Sequence, residues 1–204
     1  RSETFKYRII FFRLMKISLD EIQKVFNVEI EGTRPMLMHS TAGMLRSSDS
    51  RGVRLTPAQE AEESLYKDKD GNVIIPGFNL ISAMKEAASD FKVGGKGKKT
   101  YKQYINSGID ILPEEPRLDY DKWEIDARPV VIQRSRIIRS RPRFDNWKLR
   151  FQIKVNDPLL LDANHEGSIL QEILEAAGKH KGLGDFRPRF GQFRVNCFES
   201  VPEE

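Results

Sequence analysis

The sequence predicts an α+β fold of the split βαβ, ferredoxin-like kind: an antiparallel sheet with helices on one face. Three observations predict it. Apolar and polar residues alternate strictly at 26–31, 148–155 and 192–197, the mark of strands with one buried face. Ile169, Leu170, Ile173, Leu174 and Ala177 recur at helical spacing within 166–180. Read in order, the elements run strand–helix–strand–strand–helix–strand, with an insertion between the first helix and the second strand.

Length and composition fit one domain. The 204 residues carry 34 lysines and arginines against 30 acids, a net charge of +4 and a pI near 9.1. A small positive excess points only weakly to a polyanion, but its placement says more. Bases gather at 92–102 and 134–143, and acids at 60–70 and the C-terminus. The single cysteine, Cys197, excludes a disulfide framework and a cysteine metal cluster, which suits a reducing cytoplasmic setting. No stretch has the length of a membrane-spanning helix, so no membrane partner is expected. Residues 1–15 read as an extension added at cloning or by an alternative start. Residues 16–200 read as the domain, with its insertion at about 92–126.

Taken in order, Phe26, Val28 and Ile30 alternate with Asn27, Glu29 and Glu31 in the first strand, and Pro35 then ends regular pairing. Residues 40–55 form a polar loop. Thr56-Pro57 is a helix start, with threonine as N-cap and proline at the first helical position. Asp70-Gly71 marks a tight turn, and Val73-Ile74-Ile75 is an apolar run halted by Pro76-Gly77. A helix is expected from Asn79, with Leu80, Met84 and Ala87 or Ala88 on its buried stripe. The glycine- and lysine-rich segment 92–102 reads as mobile, and 105–126 as irregular. Residues 130–138 and 148–155 read as paired strands. In the second of these Trp147, Leu149, Phe151, Ile153 and Val155 face the core, opposite Lys148, Arg150, Gln152 and Lys154. The last strand sets Phe193, Val195 and Cys197 on its apolar side.

Between the last helix and that strand lies Gly-Leu-Gly-Asp-Phe-Arg-Pro-Arg-Phe-Gly at 182–191. Gly182 and Gly184 permit close approach of the backbone. Lys181, Arg187 and Arg189 place cations beside them, a composition suited to a phosphate backbone. The alternative is a helix cap followed by an ordinary loop. Phe186 and Phe190 are candidate base-stacking residues in this loop.

Three stretches carry a resemblance to the RAMP superfamily, the repeat-associated proteins that build CRISPR effector backbones. Residues 28–39 look like that family's first strand. Ile-Ile-Pro-Gly-Phe-Asn-Leu-Ile-Ser-Ala-Met-Lys at 74–85 is similar to its I-P-G-S-S-L-K-G helix opening. Residues 182–195 look like its C-terminal glycine-rich loop and final strand. Phe78-Asn79 stands where the family has serines, and Ser82-Ala83 where it has Lys-Gly. The resemblance implies a modified RRM fold that binds single-stranded guide RNA along its backbone. It further implies a homo-oligomer or filament, other effector-complex subunits as partners, or a small stand-alone member from a phage or mobile element. Some members cleave target RNA with an aspartate in the loop after the first strand, where this chain has Asp49 between Arg46 and Arg51.

The expected nucleic-acid contacts are therefore Arg46 and Arg51; Lys96, Lys98 and Lys99; Arg134, Arg136, Arg139, Arg141 and Arg143; and Lys181, Gly182, Gly184, Phe186, Arg187, Arg189 and Phe190. Arginine, used where lysine would serve solubility, grips phosphates bidentately and stacks on bases. Lys148, Arg150, Lys154 and Arg194 either line a basic sheet or pair with Glu29 and Glu31 across strands. His39, His165 and His180 lack metal-ligand spacing, so no metal or cofactor is expected. The leading expectation is a non-enzymatic single-strand RNA- or DNA-binding protein. Its alternatives are a metal-dependent endoribonuclease using Asp49 and a structural adaptor in a phage or mobile-element particle.

Overall fold

The computed structural model describes residues 24–41, 55–120, 122–132, 134–161 and 167–202. The expected extension at 1–15, and Arg46, Asp49 and Arg51, lie outside the described residues. The strands are β1 (Lys24–Gly32), β2 (Met36–Leu37), β3 (Ile109–Leu112), β4 (Glu124–Ile132), β5 (Ser135–Phe144), β6 (Lys148–Val155) and β7 (Phe193–Ser200). The α-helices are α1 (Pro57–Glu63), α2 (Gly77–Ala87), α3 (Lys102–Gly108) and α4 (Ser168–His180).

The main sheet has the order β3-β6-β1-β7 and every neighbour is antiparallel, which is the ferredoxin-like arrangement. Its buried face presents Phe26, Val28, Ile30, Leu149, Phe151 and Ile153, and α2 and α4 pack together over it through Leu80, Met84, Leu170, Ile173 and Leu174. Each such side chain contributes about 1.5–3 kcal/mol when buried. Trp147 is 1% exposed and its indole N–H donates to the Arg34 carbonyl at 2.9 Å, so it is a core residue, not a base platform.

The polar face of this sheet is not a basic surface. Lys148 and Arg150 both donate to the Glu29 carboxylate, at 2.9 and 2.7 Å, and Arg194 donates to Glu31 at 2.7 Å. Hydrogen bonds from Lys148 and Arg150 hold the Glu29 carboxyl down to about 2. Cross-strand ion pairing is what these alternating charges do.

Two strand expectations change. The second core strand is β3, at residues expected to be irregular, so the insertion between helix and strand ends at Gly108. Residues 130–138 do not pair with β6. They span the end of β4, a tight turn and the start of β5, a hairpin in a second sheet ordered β2-β5-β4. Arg134 sits in that turn with φ of 68°, the left-handed geometry a short hairpin connection demands. Cys197 also changes sides. A register shift opposite Glu29 and Ile30 inverts the alternation, so Phe198 rather than Cys197 turns inward and stacks on Phe26 at 4.8 Å.

Helix α1 begins as its sequence requires. The Thr56 hydroxyl accepts from the Gln59 N–H, and the Gln59 side chain accepts from the Thr56 N–H. It lies along β5, where β2 is too short to pair, and Glu60 satisfies that edge by accepting from the Ser140 N–H at 3.0 Å.

Candidate nucleic-acid interface

The three stretches of the RAMP resemblance, far apart in sequence, meet at one place. The Asp185 N–H donates to the Leu37 carbonyl at 2.7 Å, and the Gly191 N–H to the Pro35 carbonyl at 2.8 Å. On its other side the loop borders α2. Phe78, Asn79, Ser82, Leu183, Gly184 and Arg187 line a recess of about 120 Å³, and Arg187 lies 3.5 Å from Glu86. A wider cleft of about 420 Å³ continues past Lys181, Phe186 and Arg187.

The glycines serve the loop's own fold first. Gly182, at φ +73°, ends α4 with its N–H on the Ala177 carbonyl at 2.8 Å, which is the helix-cap reading. Gly184 has φ +77°, and a Cβ there would stand 2.2 Å from the Leu37 carbonyl oxygen. The close approach expected for a ligand is thus made to β2. Most loop N–H groups are likewise committed within the chain: Leu183 to Gly191, Asp185 to Leu37, and Phe190 to Phe186. What the loop presents outward is side chains, with Arg187 and Arg189 exposed.

The arginines of β5 divide. Arg134 and Arg136 are exposed at the hairpin's turn. Arg139 donates to Glu60 at 2.8 Å, and Arg143 to Asp145 at 2.7 Å. Arg141 is 7% exposed, and its Nε donates to Asp185 at 2.5 Å. Arg139 and Arg141, expected to contact nucleic acid directly, turn their guanidinium groups to α1 and the glycine loop, where they bond Glu60 and Asp185. Burial alone would raise the Asp185 carboxyl, but the His39 imidazole, the Phe186 N–H and the Arg141 guanidinium bring it down to about 2.

The loop aromatics are engaged in the same way. Arg141 lies over the Phe186 ring at 4.8 Å and Arg128 over Phe190 at 4.6 Å. Arg128 is itself paired with Asp126. These contacts fasten the glycine loop to the β4–β5 hairpin. An arginine thus lies over each of the two rings expected to stack on bases, while Phe186 remains 38% exposed.

The lysine segment is folded. Lys92 bridges to Thr100, and the Val93 N–H donates to the Lys99 carbonyl at 2.9 Å. Lys96, itself exposed, lies over the Tyr104 ring at 5.2 Å. Lys98 and Lys99 instead border a groove of about 450 Å³ with Lys85 and Lys102, whose lining also holds Thr100, Gln103 and Asn106 but no carboxylate. Lys85 was absent from the expected site because it belongs to α2 and is brought alongside the lysine segment only by the fold. Among the described residues no group of three or more His, Cys, Asp or Glu is placed to hold a metal, and no helix is long and apolar enough to cross a membrane.

An antiparallel sheet of this order, two helices on one face and a glycine-rich loop before the last strand define a ferredoxin-like, modified RRM-type module. Its fold is similar to that of a chain in the cryo-EM structure of the type III-B Cmr-beta bound to cognate target RNA, with a TM-score of 0.56 and 12% sequence identity. The likeness covers 96% of this chain and 66% of that chain. No protein-family model matches the sequence, and no curated protein matches it.

Proposed function

We propose that this protein binds single-stranded RNA along its backbone, as a repeated subunit of a CRISPR-type ribonucleoprotein. One observation carries the reading. The stretches 28–39, 74–85 and 182–195 converge on a single rim, with Arg187 at their meeting point. The likeness of the fold to a chain of an RNA-bound Cmr-beta structure supports RNA over DNA. Arg134, Arg136, Arg187 and Arg189, with the lysine groove, supply exposed cations for phosphates, and each contact would release counterions on binding. The protein holds the strand without cutting it. Asp49 is the residue whose replacement tests that half of the proposal.

The test is titration of labelled single-stranded RNA, its duplex and the matching DNA, with binding stoichiometry measured as the strand lengthens. The reading predicts preference for single-stranded RNA, more copies bound per longer strand, and intact RNA after incubation with Mg²⁺ or Mn²⁺. Metal-dependent cleavage lost in Asp49→Asn would replace it with the endoribonuclease. Failure to bind any strand would leave the adaptor reading.

A further inference from the structure

We infer that Phe78 is a base-stacking residue of this RNA site, with Asn79 and Ser82 beside it to meet the base edge; the inference rests on the reading just proposed. Phe78 stands in the first turn of α2 and is 60% exposed, while Leu80, Ala83, Met84 and Ala87 of the same helix are buried. A phenyl ring left in water at a rigid helix start forfeits the burial that its neighbours obtain. Its surroundings fit a nucleotide. It shares the recess with Asn79, Ser82 and Arg187, so an apolar ring, an amide, a hydroxyl and a guanidinium face one small space. Phe78 and Ser82 are one helical turn apart and lie on the same face of α2.

The loop aromatics leave this role open. Phe186 and Phe190 each carry an arginine over the ring, whereas among the described residues no aromatic or cationic group stacks on Phe78. A single strand exposes its bases, and an aromatic face holds any of them without reading sequence. Phosphate contact by Arg187 and stacking on Phe78 are then two separable parts of one site.

Separation is what the experiment measures. Wild type, Phe78→Ala, Phe78→Trp and Arg187→Ala are titrated at several salt concentrations with a single-stranded RNA and with an abasic strand of equal length. Phe78→Ala is expected to weaken binding of the base-bearing strand by about five- to 150-fold, to leave the abasic strand nearly unaffected and to keep the salt slope. Phe78→Trp should retain affinity, with its fluorescence quenched on binding. Arg187→Ala should weaken both strands and lower the slope. Equal binding of RNA by wild type and Phe78→Ala overturns the inference while the function stands. A loss on both strands alike in Phe78→Ala, or a change in its oligomeric mass without RNA, also overturns it and makes Phe78 a phosphate-side or protein contact. A wild type that binds no RNA removes the function and the inference together.

Discussion

Arg141 Nε donates to Asp185 Oδ2 at 2.5 Å, joining the β4–β5 hairpin to the glycine loop across 44 residues of sequence. Arg141 is 7% exposed and the Asp185 side chain 35%, so the pair sits at the edge of the interior. Replacing Arg141 by alanine leaves a half-buried carboxylate without one of its charged partners and removes the guanidinium over the Phe186 ring. A loss of about 1–3 kcal/mol is expected in denaturant unfolding. RNA affinity should fall as well, because the loop that carries Arg187 loses its anchor. Asp185→Asn added to Arg141→Met should recover part of the stability, which a double-mutant cycle would read.

Little of this was legible in the sequence, and the reason is physical. The strands β1, β6 and β7 and the helix α4 have one face buried and one wet, so their periods of two and 3.6 are written plainly. Strand β3 has four residues, too few for a period to show. The β4–β5 hairpin is masked by Pro129, Pro142 and its arginines, and its turn lacks an Asn-Gly signal, so two strand halves read as one strand. At the site, three convergent stretches were visible one by one. The partners Asp185, Glu60 and Asp126, which decide which arginines remain outward, arrive from other elements. Phe78 shows in the sequence only as a departure from a motif, and its exposure is a tertiary fact.

Gly184→Ala is expected to damage the fold before it touches a ligand. Its added methyl would meet the Leu37 carbonyl oxygen at 2.2 Å in a backbone conformation that alanine resists. A cost of about 1–3 kcal/mol follows from such strain. Thermal melting should report it, and RNA affinity corrected for the folded fraction should stay near wild type. Normal melting with lost affinity would return Gly184 to the binding surface.

Acid should loosen the main sheet in a defined window. Glu29 titrates at about 2 in the folded protein against an ordinary value of 4.5, because Lys148 and Arg150 bond its charged form. A carboxyl depressed by folding contributes stability fully above its unfolded value, and the contribution is lost as pH falls from about 4.5 toward 2. Glu29→Gln should therefore show a shallower fall of stability over that window in urea titrations at stepped pH. Parallel curves for the two proteins would show that the pairs are screened into irrelevance.

The lysine segment should separate by residue. Lys98, Lys99 and Lys102 border the groove, so their combined replacement by alanine should weaken RNA binding and lower its salt slope with melting unchanged. Lys96→Ala should act differently. Its ammonium rests on Tyr104, so it should cost about 0.5–1 kcal/mol of stability with little effect on the slope.

The rim formed by the glycine loop and α2 is proposed to hold an RNA strand through outward arginines. The most direct measurement is the salt dependence of single-stranded RNA binding by wild type and by Arg187→Ala/Arg189→Ala, with melting temperature recorded for each. Both side chains are largely outside the core, and the Arg187–Glu86 pair is long and exposed, so folding should be untouched. The double variant should bind more weakly, with a log–log slope lowered by about one for each phosphate contact removed. Wild-type affinity and slope in the folded double variant would contradict it.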